Sequence, residues 1–252
     1  MTLMKILNSN LPFYALLAGV FSFSAVPVIA NDEADLYGDD IAAGISVDDP
    51  LEAINRVTFD LNDFVYLNLF EPVADGYAAI TPDPVEEGAS NFFNNLKYPV
   101  RLAGNLLQGR FDGAWVETGR FAINTTVGIV GIFTPADSVE GFEPIASEDV
   151  GQALGAWGVS EGPYLVLPLL GPSNLRDLLG FVGDRAVNPL KEPFAANESW
   201  NWEWKLALAG SEIIANSPSM IERYKQLKGN SIDPYGAMKN GYTQYRKSAI
   251  AE

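Results

Sequence analysis

A chain of 252 residues with 48% apolar side chains is long enough for one large domain or two small ones and can bury a substantial core. It carries 16 basic against 32 acidic residues, a formal net charge of −16, and so repels nucleic acid and anionic membrane surfaces at long range. Cysteine and histidine are both absent, which removes disulfides, thiol nucleophiles, Cys/His zinc sites and Ser-His-Asp catalysis.

Residues 1–30 read as a secretory leader: Lys5 precedes an apolar stretch from Leu11 to Ala30, and Val28-Ile29-Ala30 offers a signal-peptidase site. The stretch is also nearly long enough to be retained as an anchor. Residues 31–48 are rich in Asp, Glu and Gly and read as a flexible acidic tether. A single helical domain is expected over residues 49–252. Asp49-Pro50-Leu51-Glu52 has the pattern of a helix start, with Asp49 as cap and Pro50 at the first helical position. Leu51, Ile54, Leu61, Phe64 and Val65 share one face, while Val57, Phe59, Tyr66, Leu67 and Leu69 fall outside it, so the helix is apolar over much of its girth. Such a helix belongs in a soluble core or against hydrocarbon. Phe70-Glu71-Pro72 is expected to interrupt it.

Helical patterns follow from Pro84, from Pro99 to a stop at Gly109, and from Phe111. The segment 125–136 then carries no charge, with Gly128 and Gly131 three residues apart. Small residues at that spacing suit either a tight core helix or a surface that another backbone or a lipid chain approaches closely. Residues 162–172 form a second charge-free run, in which Pro163 and Pro168 rule out an ordinary buried helix and Tyr164, Leu165, Val166, Leu167, Leu169 and Leu170 are apolar on both faces. Something apolar must cover it, whether core or lipid. A short helix is expected over 175–187. Trp200, Trp202 and Trp204 suit a membrane–water interface or alternate core packing. Two final helices are expected from Pro218 and Pro234. No convincing pair of alternating strands is present, and the class reads as all-α.

The carboxylate groupings Asp49/Glu52, Glu86/Glu87, Glu148/Asp149 and Asp177/Asp184 could in principle serve acid–base chemistry, but nothing in the pattern sets two of them across a cleft. No enzyme, cofactor or metal site is expected. Charge-free ribbons interleaved with Asn91, Asn94, Asn95, Asn105, Gln108 and Asn124 suit a different task, a path with an apolar wall for acyl chains and a wet wall for a polar head.

The residues resemble the MlaA (VacJ) family of the Gram-negative outer membrane. The resemblance runs from Asp49-Pro50-Leu51-Glu52 with Asn55-Arg56, through Asn62-Asp63, Pro72-Val73-Ala74, Asn91-Phe92, Asn95-Leu96 and Leu106-Leu107-Gln108-Gly109, to Arg120-Phe121, Asn124-Thr125, Gly128 and Gly131. It is densest in Gly151-Gln152, Leu154-Gly155, Trp157-Gly158-Val159, GPYLVLP, LGPS and Arg176-Asp177, and covers about 49–189, with a looser match in the tail through Asp233-Pro234-Tyr235 and Tyr245. The resemblance implies a ring-like or disc-like multi-helix domain embedded in the inner leaflet of the outer membrane, on its periplasmic side, with an amphipathic central channel. It implies removal of mislocalised phospholipid from the outer leaflet, delivery to a soluble periplasmic MlaC-like carrier, and association with an outer-membrane porin trimer. The alternative is a porin-associated scaffold without lipid flux. On this reading Val127, Ile129, Ile132, Phe133, Tyr164, Leu167, Asn124 and Asn95 are the candidate residues of the lipid path. The family is usually lipidated on a cysteine, which these residues lack; attachment would rest on the embedded body, the porin contact or a retained leader. Thr134 and Glu71 also depart from the family's common aspartate and basic residue.

Overall fold

The computed structural model describes residues 47–191 and 202–251. The leader, most of the tether and Trp200 lie outside the described residues. Helix α1 (Glu52–Val65), a π-helical turn (Tyr66–Phe70) and α2 (Glu71–Ile80) form one continuous rod. The expected interruption is thus a widened turn just ahead of Pro72, which has no N–H to give to the ladder. Asp49 does not cap α1. Its carboxylate instead accepts from Asn55 Nδ2 at 2.9 Å, from Lys239 and from the Tyr235 hydroxyl, tying the start of the rod to the last helix.

Helices α3 (Asp83–Leu96), α4 (Tyr98–Gln108) and α5 (Phe111–Thr126) follow through short turns, with Pro84 and Pro99 in first turns where their missing N–H costs nothing. Gly109 ends α4 in the left-handed region at φ 74°, and Arg110 N–H closes back on Asn105 C=O at 2.9 Å. Beyond Thr126 the helix does not continue as a core helix. The chain makes a series of tight turns and then a 3₁₀ turn (Pro135–Ser138). Helix α6 (Val150–Ala156) begins at a capping box, in which Asp149 and Gln152 exchange side-chain-to-backbone bonds of 2.7 Å.

The all-α expectation fails at the ribbon. Strands β1 (Tyr164–Leu167) and β2 (Gly171–Asn174) form an antiparallel hairpin in which Tyr164 opposes Asn174 and Leu167 opposes Gly171. Its turn is Pro168-Leu169-Leu170, with Leu169 and the following Gly171 both at positive φ. Helix α7 (Leu175–Val187) starts directly from β2, capped by Asn174. Helix α8 (Trp202–Gly229) runs straight through Pro218, where a helix start was expected. The carbonyl that Pro218 leaves without its i+4 donor, that of Ile214, accepts from Ser217 Oγ at 2.8 Å instead. Helix α9 (Pro234–Ala251) begins at Asp233-Pro234 as read.

The apolar interior is divided rather than continuous. One cluster joins Phe59, Tyr164, Val166 and Tyr235, a second Tyr66, Ala74 and Ile221, and a third Phe93, Leu190 and Ala215. Among the described residues no helix is long and apolar enough to cross a membrane.

Candidate functional site

Helix α1 buries two amides beside Phe59 and turns an apolar stripe outward. Asn55 and Asn62 are buried on it, each 2% exposed, while Ile54, Val57, Leu61 and Phe64 are 50–70% exposed along the opposite side. The same inversion recurs. Helix α4 buries Asn105 and exposes Leu106 and Leu107; α5 buries Glu117 and Asn124 and exposes Phe111 and Trp115; α7 buries Arg176 and Asp184 and exposes Leu175, Leu179 and Val182. Fully covering one such apolar side chain is worth about 1.5–3 kcal/mol, so this surface would gain greatly from an apolar surrounding.

Many of the buried polar groups are satisfied by one another, while Asn105 Oδ1, Gln152 Nε2, the Tyr164 hydroxyl and one Arg176 Nη have no hydrogen-bond partner among the described residues. Arg101 Nε meets Glu117 at 2.7 Å, Lys191 and Lys97 share Glu212 at 3.1 and 2.9 Å, and Arg110 with Gln108 meets Glu148. Asn105, expected on a wet path wall, is fully buried and gives its Nδ2 to Arg101 C=O. The carboxylate groupings are likewise engaged. Burial opposes the charge on Asp177, yet Arg246, Arg176 and the Tyr242 hydroxyl hold its carboxyl below the usual range. No cluster of acids suited to a metal occurs among the described residues.

The turn at 127–133 is the most unusual part of this surface. Ile129 and Val130 take φ of 54° and 59°, a region β-branched residues avoid, and Gly131 follows at 90°. Backbone bonds from Val130 N–H to Thr125 and from Gly131 N–H to Asn124, both 2.8 Å, hold the strain in place. Four large side chains are thereby thrown outward: Val127, Ile129, Val130 and Phe133, with Ile132 partly covered against Gly88. Beneath lie the amides. Asn95 donates to Thr125 Oγ1 at 3.0 Å and packs under Gly131, where a side chain would collide with it; Asn124 Oδ1 accepts Ala136 N–H; Asn91 reaches Ile132 C=O.

Of the expected path residues, Val127, Ile129, Ile132 and Phe133 therefore share one exposed turn, and Asn95 and Asn124 are its buried supports. Tyr164 and Leu167 are elsewhere. Tyr164 is 3% exposed, packed on Tyr235 and Tyr242, so its ring faces the protein interior rather than a surface path. Leu167 is half-buried on the hairpin, its carbonyl accepting from Asn62. The outer face of α1 was missed as a site. Its sequence signal was the pair Asn55 and Asn62 lying opposite Ile54, Leu61 and Phe64; Val57, which the sequence put outside that stripe, joins it on the exposed side.

A family model described as MlaA lipoprotein matches residues 47–249. The chain belongs to the MlaA family. MlaA proteins with the name intermembrane phospholipid transport system lipoprotein are among its relatives: that of Haemophilus influenzae is 30% identical over 78% of this chain and 76% of its own length, and that of Escherichia coli 31% identical over the same shares. An uncharacterised Rickettsia prowazekii protein is 31% identical over 93% of this chain and 91% of its own. A solved structure, described under "Structural basis for maintenance of bacterial outer membrane lipid asymmetry", superposes with a TM-score of 0.64 at 28% identity, covering 81% of this chain and all of the other. The MlaA match runs on from the stretch where the resemblance is close, through α8 and into α9, where the sequence matched only loosely.

Proposed function

We propose that this MlaA-family protein sits in the periplasmic leaflet of the outer membrane and removes phospholipid from the outer leaflet through an amphipathic channel, passing it to a soluble periplasmic carrier. The observation that carries the reading is the inverted polarity of α1, α4, α5 and α7, with amides and ion pairs inside and Ile, Val, Leu and Phe outside. Water would penalise that arrangement, and hydrocarbon rewards it. Moving a two-chain phospholipid through water exposes acyl surface worth on the order of 25 kcal/mol, at ~0.8 kcal/mol per methylene, and a protein wall of mixed polarity lowers that cost without bond chemistry. The turn at 127–133 is the part of the wall assigned to acyl chains, with Asn95 and Asn124 fixing its shape. The relatives' shared name and the lipid-asymmetry theme of the matched structure agree with this role. A porin trimer is the expected neighbour in the membrane.

Deleting the gene tests the reading. Outer-leaflet phospholipid and detergent sensitivity should both rise, and complementation should reverse them. Intact lipid asymmetry with altered porin assembly would replace transport by a scaffolding role.

A further inference from the structure

Asp184 lies on α7 against the N-terminus of α6. It is 9% exposed, and its Oδ1 accepts Val150 N–H at 2.9 Å. Two more carboxylates share the junction, Asp149 ahead of α6 and Asp177 on α7. Arg246 of α9 grips both, at 2.6 and 3.0 Å to Asp149 and 2.8 Å to Asp177, while Arg176 donates to Asp177 at 2.9 Å and Tyr242 and Asn174 complete that carboxylate's shell. Three acids thus meet two guanidinium groups. Asp149 and Asp177 have the ion pairs; Asp184 has a backbone donor and no ion pair among the described residues. The remaining nearby acid, Glu148, is matched by Arg110 and Gln108. The seam leaves little room for water: a side chain at Gly180 would stand 2.3 Å from Gly151 N, and one at Gly183 2.8 Å from Val150.

We propose that Asp184 is a proton-operated latch on the α6–α7–α9 junction. With its proton on, the cluster is neutral and α7 closes on the start of α6. When the proton leaves to solvent, a third, uncompensated negative charge remains beside Asp149, and the junction loosens. Burial first, and then the Asp149 charge, push the Asp184 carboxyl up to about 7, against the Val150 N–H and Arg246, which favour the charged form. The native junction therefore binds a proton that an opened one has released. The Asp184 contribution to its stability is fully present in acid, declines as pH rises from about 4, and levels off above pH 7. The latch is a property of the fold and stands apart from the cargo.

Hydrogen–deuterium exchange of the α6 amides in the full-length, detergent-solubilised protein, corrected for intrinsic exchange, tests it. From pH 5 to pH 7 protection should fall, by close to tenfold over the first unit and by about half that factor over the second, and in Asp184→Asn, which mimics the protonated acid, this decline should be absent. Carboxyl ¹³C titration of the unaltered protein gives an independent measure, with Asp184 titrating near neutrality. An Asp184 midpoint in the ordinary carboxylate range, or the same decline in protection in both proteins, would overturn the latch.

Discussion

Asn55 and Asn62 stand seven residues apart on α1, and each commits both ends of its amide to the hairpin. Asn55 donates to Tyr164 C=O at 3.0 Å and accepts from Val166 N–H at 2.9 Å; Asn62 does the same for Leu167 C=O and Leu169 N–H, at 2.9 and 2.7 Å. Asn55→Ala strands two buried backbone groups and should cost roughly 2–5 kcal/mol, read as a lower denaturation midpoint in detergent. Asn55→Asp keeps the acceptor but turns the donor to Tyr164 C=O into a second acceptor, so it should not rescue the loss. Ser217→Ala should cost about 1 kcal/mol by removing the hydroxyl that serves the carbonyl freed by Pro218. These roles were illegible in the sequence because each depends on a partner that chain order does not reveal. The N-cap pattern at Asp49 misled for a related reason: Tyr235 and Lys239, brought in by the last helix, compete for its carboxylate.

At the scale of elements, the turn at 127–133 sets strain against exposure. Ile129→Gly should relieve a left-handed β-branched residue, and even after the extra chain entropy of glycine the fold should gain up to about 1 kcal/mol in thermal unfolding. Membrane retention or lipid flux should fall nonetheless, because one outward anchor is gone. Ile129→Asp should weaken retention more while leaving the helical circular-dichroism signal nearly unchanged; global unfolding would place the turn in a core. The sequence made this segment legible as charge-free and glycine-spaced. It could not reveal the left-handed backbone, since Ile and Val are the residues least associated with it. The hairpin was illegible for a similar reason: β1 is apolar on both faces, and its turn has Leu169 at a position that glycine usually fills.

For the whole molecule, inverted polarity reverses the usual map of mutational tolerance. On α1, Phe64→Asp on the outer face should leave folding in detergent intact yet shift the protein from membrane to soluble or aggregated fractions. Asn62→Leu on the inner face, though more hydrophobic, should destabilise the fold by unpairing the hairpin. Fractionation and detergent-phase melting of the two variants separate these outcomes. The helical class, the approximate extents of α3, α4, α5, α7 and α9, and the stop at Gly109 were legible because proline and glycine punctuate them. Which face of α1 points inward was not, because periodicity gives a stripe without saying which solvent it meets. The buried asparagines resolve it.

The amides that serve β1 also close its outer edge. A two-stranded hairpin ordinarily presents a row of unpaired N–H and C=O groups, a template on which a second chain can add a strand. Here Asn55, Asn62 and the Tyr66 hydroxyl occupy those groups from a helix made a hundred residues earlier in the chain. The first helix of the described residues thus acts as a guard for a later hairpin, blocking strand addition in a molecule whose apolar exterior would otherwise bring copies together.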